Sequence, residues 1–148
     1  MRLRINEATE TNFTDKQMNY AAGQNYVLGM KAFDEFKSAG FNPKFEWGPL
    51  DKVASKNNNN RWNIDDIDIS ITVSNMLFRF KASLFDYFPQ RFYPQVTWSF
   101  HGYEMTSSNI TIADAERLLD ATKLAYKLSD EINSQFDKII KTIESGNV

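Results

Sequence analysis

The chain contains no cysteine, a single histidine and no long apolar run. The lack of cysteine excludes disulfides, thiolate metal sites and cysteine nucleophiles, and it agrees with a reducing compartment. No apolar stretch approaches the length needed to cross a bilayer, and residues 1–12 lack the apolar segment of a secretory signal. We therefore expect a cytoplasmic protein with no membrane partner.

An excess of charge of one sign is also missing, since 17 basic and 19 acidic side chains give a formal net charge of −2. A general DNA or RNA binder normally carries a clear basic excess, and the total shows none. The chain has 148 residues and no internal repeat. This length fits one ordinary domain, and we expect a single α+β domain over residues 1–148.

A helix is predicted near the amino terminus. Thr14 stands three residues before Gln17, which is the spacing of a reciprocal capping box. The helix is expected to run to Ala39 and to end at Gly40, because glycine adopts the left-handed conformation that terminates helices. Residues 41–61 follow, with two prolines, a glycine and a run of four asparagines. They offer no apolar face and are predicted to be a connection.

Three segments between residues 66 and 101 alternate apolar and polar side chains, which predicts three strands with one apolar face each. The apolar faces of the first two match only when paired residue numbers sum to an odd value. A tight turn after Val73 then places Ile69 opposite Phe80 and Asp68 opposite Lys81. In the third strand, Pro94 marks the start or an exposed edge.

A long helix is predicted at the carboxyl end. It begins at Thr111, a capping residue three positions before Asp114, and its apolar residues recur at steps of three and four up to Ile143. At about 1.5 Å per residue an unbroken helix is about 50 Å long. The predicted architecture is thus a three-stranded antiparallel meander with an amino-terminal and a long carboxyl-terminal helix on its apolar face.

Such a helix is long for a compact domain of this size, whose radius of gyration is about 15 Å. Either the helix breaks near Ser129, or something else covers its far end. Two copies that pack this end together would bury it, which predicts a homodimer. The self-association residues are Ile132, Phe136, Ile139 and Ile143.

Nucleic-acid binding is one alternative function. Leu77 to Lys81 interleaves basic and aromatic residues, and Arg79 and Lys81 together with the loop cations Lys52, Lys56 and Arg61 are the candidate contacts. The order helix, three-strand meander, helix resembles the double-stranded-RNA-binding domain in topology. That family opens its last helix with a lysine-rich run, whereas residues 111–116 here carry two acids and no base. The function of that family is therefore not carried over.

Enzymatic chemistry has little support in the residues. Asp66 and Asp68 lie two apart on one strand face and suggest a magnesium site, but cross-strand pairing with Arg79 and Lys81 explains the same carboxylates. His101 shares a strand face with Ser99, yet no nucleophile motif surrounds them. A magnesium-dependent enzyme is the second alternative, and we expect no catalytic residues, no metal and no cofactor.

The most unusual composition is residues 86–93, which crowd four aromatics and an arginine between two strands. Tyrosine and arginine are enriched among residues that dominate protein interfaces. We expect Phe88 and Phe92 to close the core, and Tyr87, Arg91 and Tyr93 to form an exposed partner-binding tip. The sequence therefore favours a non-enzymatic protein-binding module, an inhibitor or adaptor, for example of the kind that phages encode against host defence.

Overall fold

The computed structural model describes residues 13–47, 66–86, 91–102 and 111–148. Within these ranges the four strands form one antiparallel sheet in sequence order, with a helix before it and a helix after it. The predicted α+β class is confirmed. The elements are α1 (Asp15–Ser38), β1 (Lys44–Trp47), β2 (Asp66–Val73), β3 (Met76–Asp86), β4 (Arg91–Gly102) and α2 (Ile112–Glu144).

Both helix starts follow the predicted capping. The Thr14 backbone N–H donates to Gln17 Oε1 at 2.9 Å, and the Gln17 N–H donates to Thr14 Oγ1 at 3.1 Å. The Asp114 N–H donates to Thr111 Oγ1 at 3.0 Å. After α1 the chain turns at Gly40, whose φ of +92° is favourable only for glycine.

The prediction of three strands was wrong by one. Lys44–Trp47, which was assigned to a connection, pairs antiparallel with β2 and places Phe45 opposite Ile69. The Phe45 ring stacks on Phe33 of α1 with ring centroids 4.8 Å apart. This contact with the preceding helix stabilises a strand too short to show a period of its own. The additional strand also separates this fold from the topology of the double-stranded-RNA-binding domain.

The predicted register of β2 and β3 is confirmed. Ile69 pairs with Phe80 and Asp68 with Lys81, and the turn at Ser74 and Asn75 has two residues. Strand β4 continues the pattern, with Trp98 opposite Phe80. Pro94 lies within β4, which is the edge strand at this side of the described sheet. The prediction of an edge from this proline is therefore confirmed.

Both helices cover the apolar face of the sheet and run antiparallel to each other. Lys127 of α2 contacts Glu35 of α1 at 3.5 Å, and further along α2 Glu131 contacts Lys31 at 3.8 Å. Between the layers lies one cluster of buried side chains, with Phe36 of α1 and Phe136 of α2 both completely buried.

Helix α2 is continuous over 33 residues. Strand β4 has 12 residues and is about 40 Å long, so the sheet is nearly as long as the helix of about 50 Å. The premise of the predicted self-association, that one chain cannot cover the end of α2, was wrong. At most 4% of each of these side chains is exposed within the single chain: Ile132, Phe136, Ile139 and Ile143.

Candidate binding surface on the outer face of the sheet

The face of the sheet opposite the helices, called here the outer face, carries every second residue of each strand. Because Phe80 and Trp98 point toward the helices, their neighbours in sequence point away from them. Most of these outward side chains are hydroxyls, amides or charged groups. They include Asp68 and Ser70 on β2, Arg79, Lys81 and Ser83 on β3, and Gln95, Thr97, Ser99 and His101 on β4. The register of β3 and β4 shifts between Ser83 and Phe85, so this alternation does not extend to the start of β4.

Arg91 and Tyr93 lie together at the start of β4. The Arg91 guanidinium carbon is 5.0 Å from the centroid of the Tyr93 ring, and Tyr93 is 47% exposed. Phe92 instead contacts Phe13, with ring centroids 4.9 Å apart, and packs against the core. The predicted division of these aromatic residues between core and solvent is therefore observed for Phe92 and Tyr93.

The location of this pair differs from the prediction. Arg91 and Tyr93 were assigned to the loop that joins two strands, but β3 extends to Asp86 and β4 begins at Arg91. The pair is held on a strand, so its geometry is fixed more firmly than a loop would fix it. The other predicted tip residue, Tyr87, lies outside the described residues, as does Phe88.

The two cations of β3 have different roles. Arg79 donates to both carboxylate oxygens of Asp68, at 3.3 Å from Nε and at 2.5 Å from a terminal nitrogen. Lys81 is exposed although it lies directly opposite Asp68 in the register. The expectation that Lys81 pairs with Asp68 holds for the backbone register, whereas the arginine takes the carboxylate because its fork matches both oxygens.

Two polar side chains of β2 are buried, although the alternation of this strand is typical of one face in water. Asp68 and Ser70 are each only 3% exposed. The presence of β1 explains this burial, because it makes β2 an interior strand. Ser70 Oγ donates to Oε2 of Glu46, a β1 residue, at 2.8 Å.

The hydrogen bonds from Arg79 make Asp68 a poor ligand for magnesium. A hard cation needs free carboxylate oxygens, and here Arg79 already occupies both. The side chain of Asp66 lies outside the description. Among the described residues no group of three histidine, aspartate or glutamate side chains comes together as a metal site requires.

His101 and Ser99 form a pair on the outer face, with 3.0 Å between His101 Nε2 and Ser99 Oγ. A hydrolytic triad also needs a carboxylate that orients the imidazole. No acidic side chain in the described part of the chain is bonded to His101 in this way. The pair is an exposed hydrogen bond along one strand.

The structure gives the nucleic-acid alternative few groups to use. Phe78 and Phe80 are completely buried, so the aromatics between the basic residues of β3 face the core and offer no surface for bases. Arg79 is paired with Asp68, and the cations Lys81 and Arg91 lie on different strands. The loop cations Lys52, Lys56 and Arg61 lie outside the described residues.

A second exposed apolar region was missed by the sequence analysis. Tyr126 of α2 is 62% exposed and contacts Trp98 of β4 edge to face, with centroids 4.7 Å apart. Phe100 on β4 and Leu119 on α2 are exposed as well. Leu119 and Tyr126 are seven residues apart and lie outside the apolar stripe of α2 that packs in the core. This spacing was the sequence signal for a second apolar region.

Comparison with known proteins gives no match to a family model, to a curated protein or to a solved structure. No helix among the described residues has the length and apolar character to span a bilayer.

Proposed function

We propose that this protein is a non-enzymatic protein-binding module that contacts its partner through the surface around Arg91 and Tyr93 at the start of β4. The observation that carries the proposal is the Arg91 guanidinium held over the half-exposed Tyr93 ring at 5.0 Å. Tyrosine and arginine are the side chains that most often dominate interface energies.

The support of the strand strengthens this proposal. Arg91 pairs with Asp86 in the sheet and its guanidinium lies over the Tyr93 ring, so less conformational entropy is lost when a partner arrives. The surrounding side chains, Gln95, Thr97 and Ser99, are exposed and uncharged. They provide the polar rim with hydrogen-bonding capacity that surrounds most protein interfaces.

A protein partner fits this face better than a nucleic acid does. Phosphate recognition requires several cations along a path, and here Arg79 is neutralised by Asp68 in a fork of two hydrogen bonds. An inhibitor or adaptor needs only such a surface and no chemistry. The phage-type inhibitor of host defence belongs to this class and is part of the proposal.

The test is affinity capture from the source cell with three baits, followed by mass spectrometry and by titration of the captured partner. The baits are the wild type, the double variant Arg91→Ala/Tyr93→Ala and the control Tyr26→Ala, which removes a tyrosine of α1 that is 38% exposed. We expect the double variant to weaken binding by at least about 2 kcal/mol, which is about 30-fold in Kd, with the control unchanged.

The double variant should keep its melting temperature within a few degrees, because Tyr93 is exposed and Arg91 is only partly buried. A loss of folding with unchanged binding by the folded fraction would overturn the proposal. Fluorescence anisotropy with a labelled duplex and a labelled single strand is the second arm. Salt-dependent binding there that Lys81→Ala weakens would assign the surface to nucleic acid instead.

A further inference from the structure

Strand β4 has a free edge within the described sheet, because no described strand pairs with it on the side away from β3. A two-residue turn is closed by the residues that flank it, so Val73 and Met76 form a hydrogen-bonded pair. Hydrogen-bonded pairs alternate along an antiparallel ladder. It follows that Arg79 and Lys81 direct their backbone groups toward β4.

On β4 the residues opposite them, Ser99 and Thr97, direct their backbone groups back toward β3. The residues between and beside these, Val96, Trp98 and Phe100, therefore direct theirs away from the sheet. Pro94 lies where the register of β3 and β4 shifts, and its missing N–H removes one donor from β4. The edge thus offers a short run of available backbone groups that begins after Pro94.

Exposed apolar side chains lie beside this edge on the helix side, some on β4 and some on α2. Phe100 is 42% exposed on β4, and Tyr126 overhangs Trp98 from α2. Leu119 and Ile112 are also exposed, and they precede Tyr126 by one and two intervals of seven residues. Residues seven apart lie on the same side of a helix with a drift of about 20° per interval. The apolar surface therefore spans the sheet layer and the helix layer.

We propose that a second copy of this chain binds here, with the two β4 strands antiparallel about a two-fold axis at Trp98. The strand is self-complementary in this register. Phe100 lies beside Val96 of the second copy on the helix side, and Ser99 lies beside Thr97 of the second copy on the outer face. His101 lies beside Gln95 of the second copy. Between Tyr93 and His101 the strand carries no acidic side chain, lysine or arginine, so no strong like-charge contact opposes the pairing.

The helix layer is the reason to choose a second copy over an extended peptide. A peptide added as one strand covers the backbone groups but leaves Tyr126, Leu119 and Ile112 exposed. In each chain two helices cover four strands, which is two strands per helix. Two strands are about 9.6 Å wide, and packed helices lie about 8–10 Å apart. Pairing through β4 therefore brings the two α2 helices into contact at an ordinary helix-packing distance.

This dimer differs from the one predicted from the sequence, because it uses the exposed side of α2 and leaves the buried stripe within each chain. Arg91 and Tyr93 lie at the start of β4, away from the two-fold axis. The proposed partner binding and the proposed dimer are therefore independent and can fail separately.

The first test is the mass in solution by sedimentation equilibrium over a range of protein concentrations. We expect the wild type to reach twice the chain mass of 17.1 kDa. Tyr126→Lys should raise the dimer dissociation constant at least tenfold. The matched control Val27→Lys changes a residue of almost equal exposure, 61% against 62%, on the other helix and should leave the constant unchanged.

The second test determines the register in which the two β4 strands pair. The chain has no cysteine, so Thr97→Cys/Ser99→Cys introduces the only thiols, and each lies beside the other type in the second copy. Paired Cα atoms in an antiparallel ladder are about 4.5–5.5 Å apart, which is within disulfide range. We expect a covalent dimer on mild oxidation, and none with the control Thr72→Cys, which lies in the interior strand β2.

Three outcomes would overturn the proposal. They are a monomer mass at all concentrations with the secondary structure intact, equal weakening by Tyr126→Lys and Val27→Lys, and a dimer whose 97/99 variant does not crosslink. Circular dichroism of each variant shows that the fold is retained, since all substituted side chains are exposed.

Discussion

Asp68 is a buried carboxylate whose cost in folding free energy depends on one neighbour, Arg79. Only 4% of its side chain is exposed, whereas 35% of the Arg79 side chain is exposed. Burial of a carboxylate is costly unless it is paired and hydrogen-bonded, and Arg79 donates to both of its oxygens. Removing the arginine would leave the carboxylate buried without that partner.

We expect Arg79→Met to lower the free energy of unfolding by about 2 to 4 kcal/mol, which is somewhat below the usual loss for a broken buried pair because the arginine is partly exposed. The control Lys81→Met changes the residue directly opposite Asp68. It should alter the free energy by no more than about 0.5 kcal/mol, because Lys81 is exposed. Urea unfolding of both variants measures the two losses. Equal losses would show that Lys81 shares the carboxylate.

The strands show what the sequence can and cannot determine. Strands β2 and β3 alternate apolar and polar residues over seven or more positions, and this period together with a two-residue turn fixed their register. Strand β1 has four residues, too few for a period, and its Phe45 is held by Phe33 of α1. A pattern within a segment does not report contacts between distant segments, and for this reason β1 could not be predicted.

The same limit applies to the candidate site. The exposure of Tyr93 and the core packing of Phe92 were predicted from the aromatic composition of residues 86–93, although both residues were assigned to a loop. The burial of Asp68 and Ser70 depends on β1 and could not be predicted once that strand was missed. The proximity of Tyr126 to Trp98 joins a helix to a strand and required the structure.

The β2–β3 turn contains a strained position that can be relieved. Ser74 has φ of 56°, and it is the non-glycine residue with positive φ in the described part of the chain. Such a conformation costs about 1–2 kcal/mol for a residue with a side chain. Glycine avoids this cost but loses about 0.5–1 kcal/mol more conformational entropy on folding.

We therefore expect Ser74→Gly to raise the free energy of unfolding by about 0.5–1 kcal/mol. Asn75, the next residue in the turn, does not have positive φ. Asn75→Gly should consequently lower the free energy, because it adds entropy to the unfolded chain and relieves no strain. Thermal and urea unfolding of the two variants give the signs. A change of the same sign in both would contradict the assignment of strain to Ser74.

The length of the sheet explains how one chain covers its long carboxyl-terminal helix. A sphere of the same mass suggested that the helix would extend beyond the core, but β3 and β4 have 11 and 12 residues and support an elongated core. Helix α1 runs antiparallel beside α2 and covers its flank. The apolar stripe of α2 therefore belongs to the interior of each chain, and the exposed side with Tyr126 is left for association.

A substitution at Phe136 tests whether the apolar stripe of α2 packs only within one chain. This residue is completely buried in the single chain, so Phe136→Ala should lower the free energy of unfolding by about 3–5 kcal/mol, the usual loss for this change in a core. The loss relative to wild type should be the same at low and high protein concentration, because the lost contacts lie within one chain. The variant should also keep the dimer dissociation constant of the wild type wherever it is folded. Sedimentation equilibrium and urea unfolding on the same samples measure both quantities. Weakened dimerisation with unchanged stability would contradict this expectation and would show that the buried stripe lies in the interface between two copies.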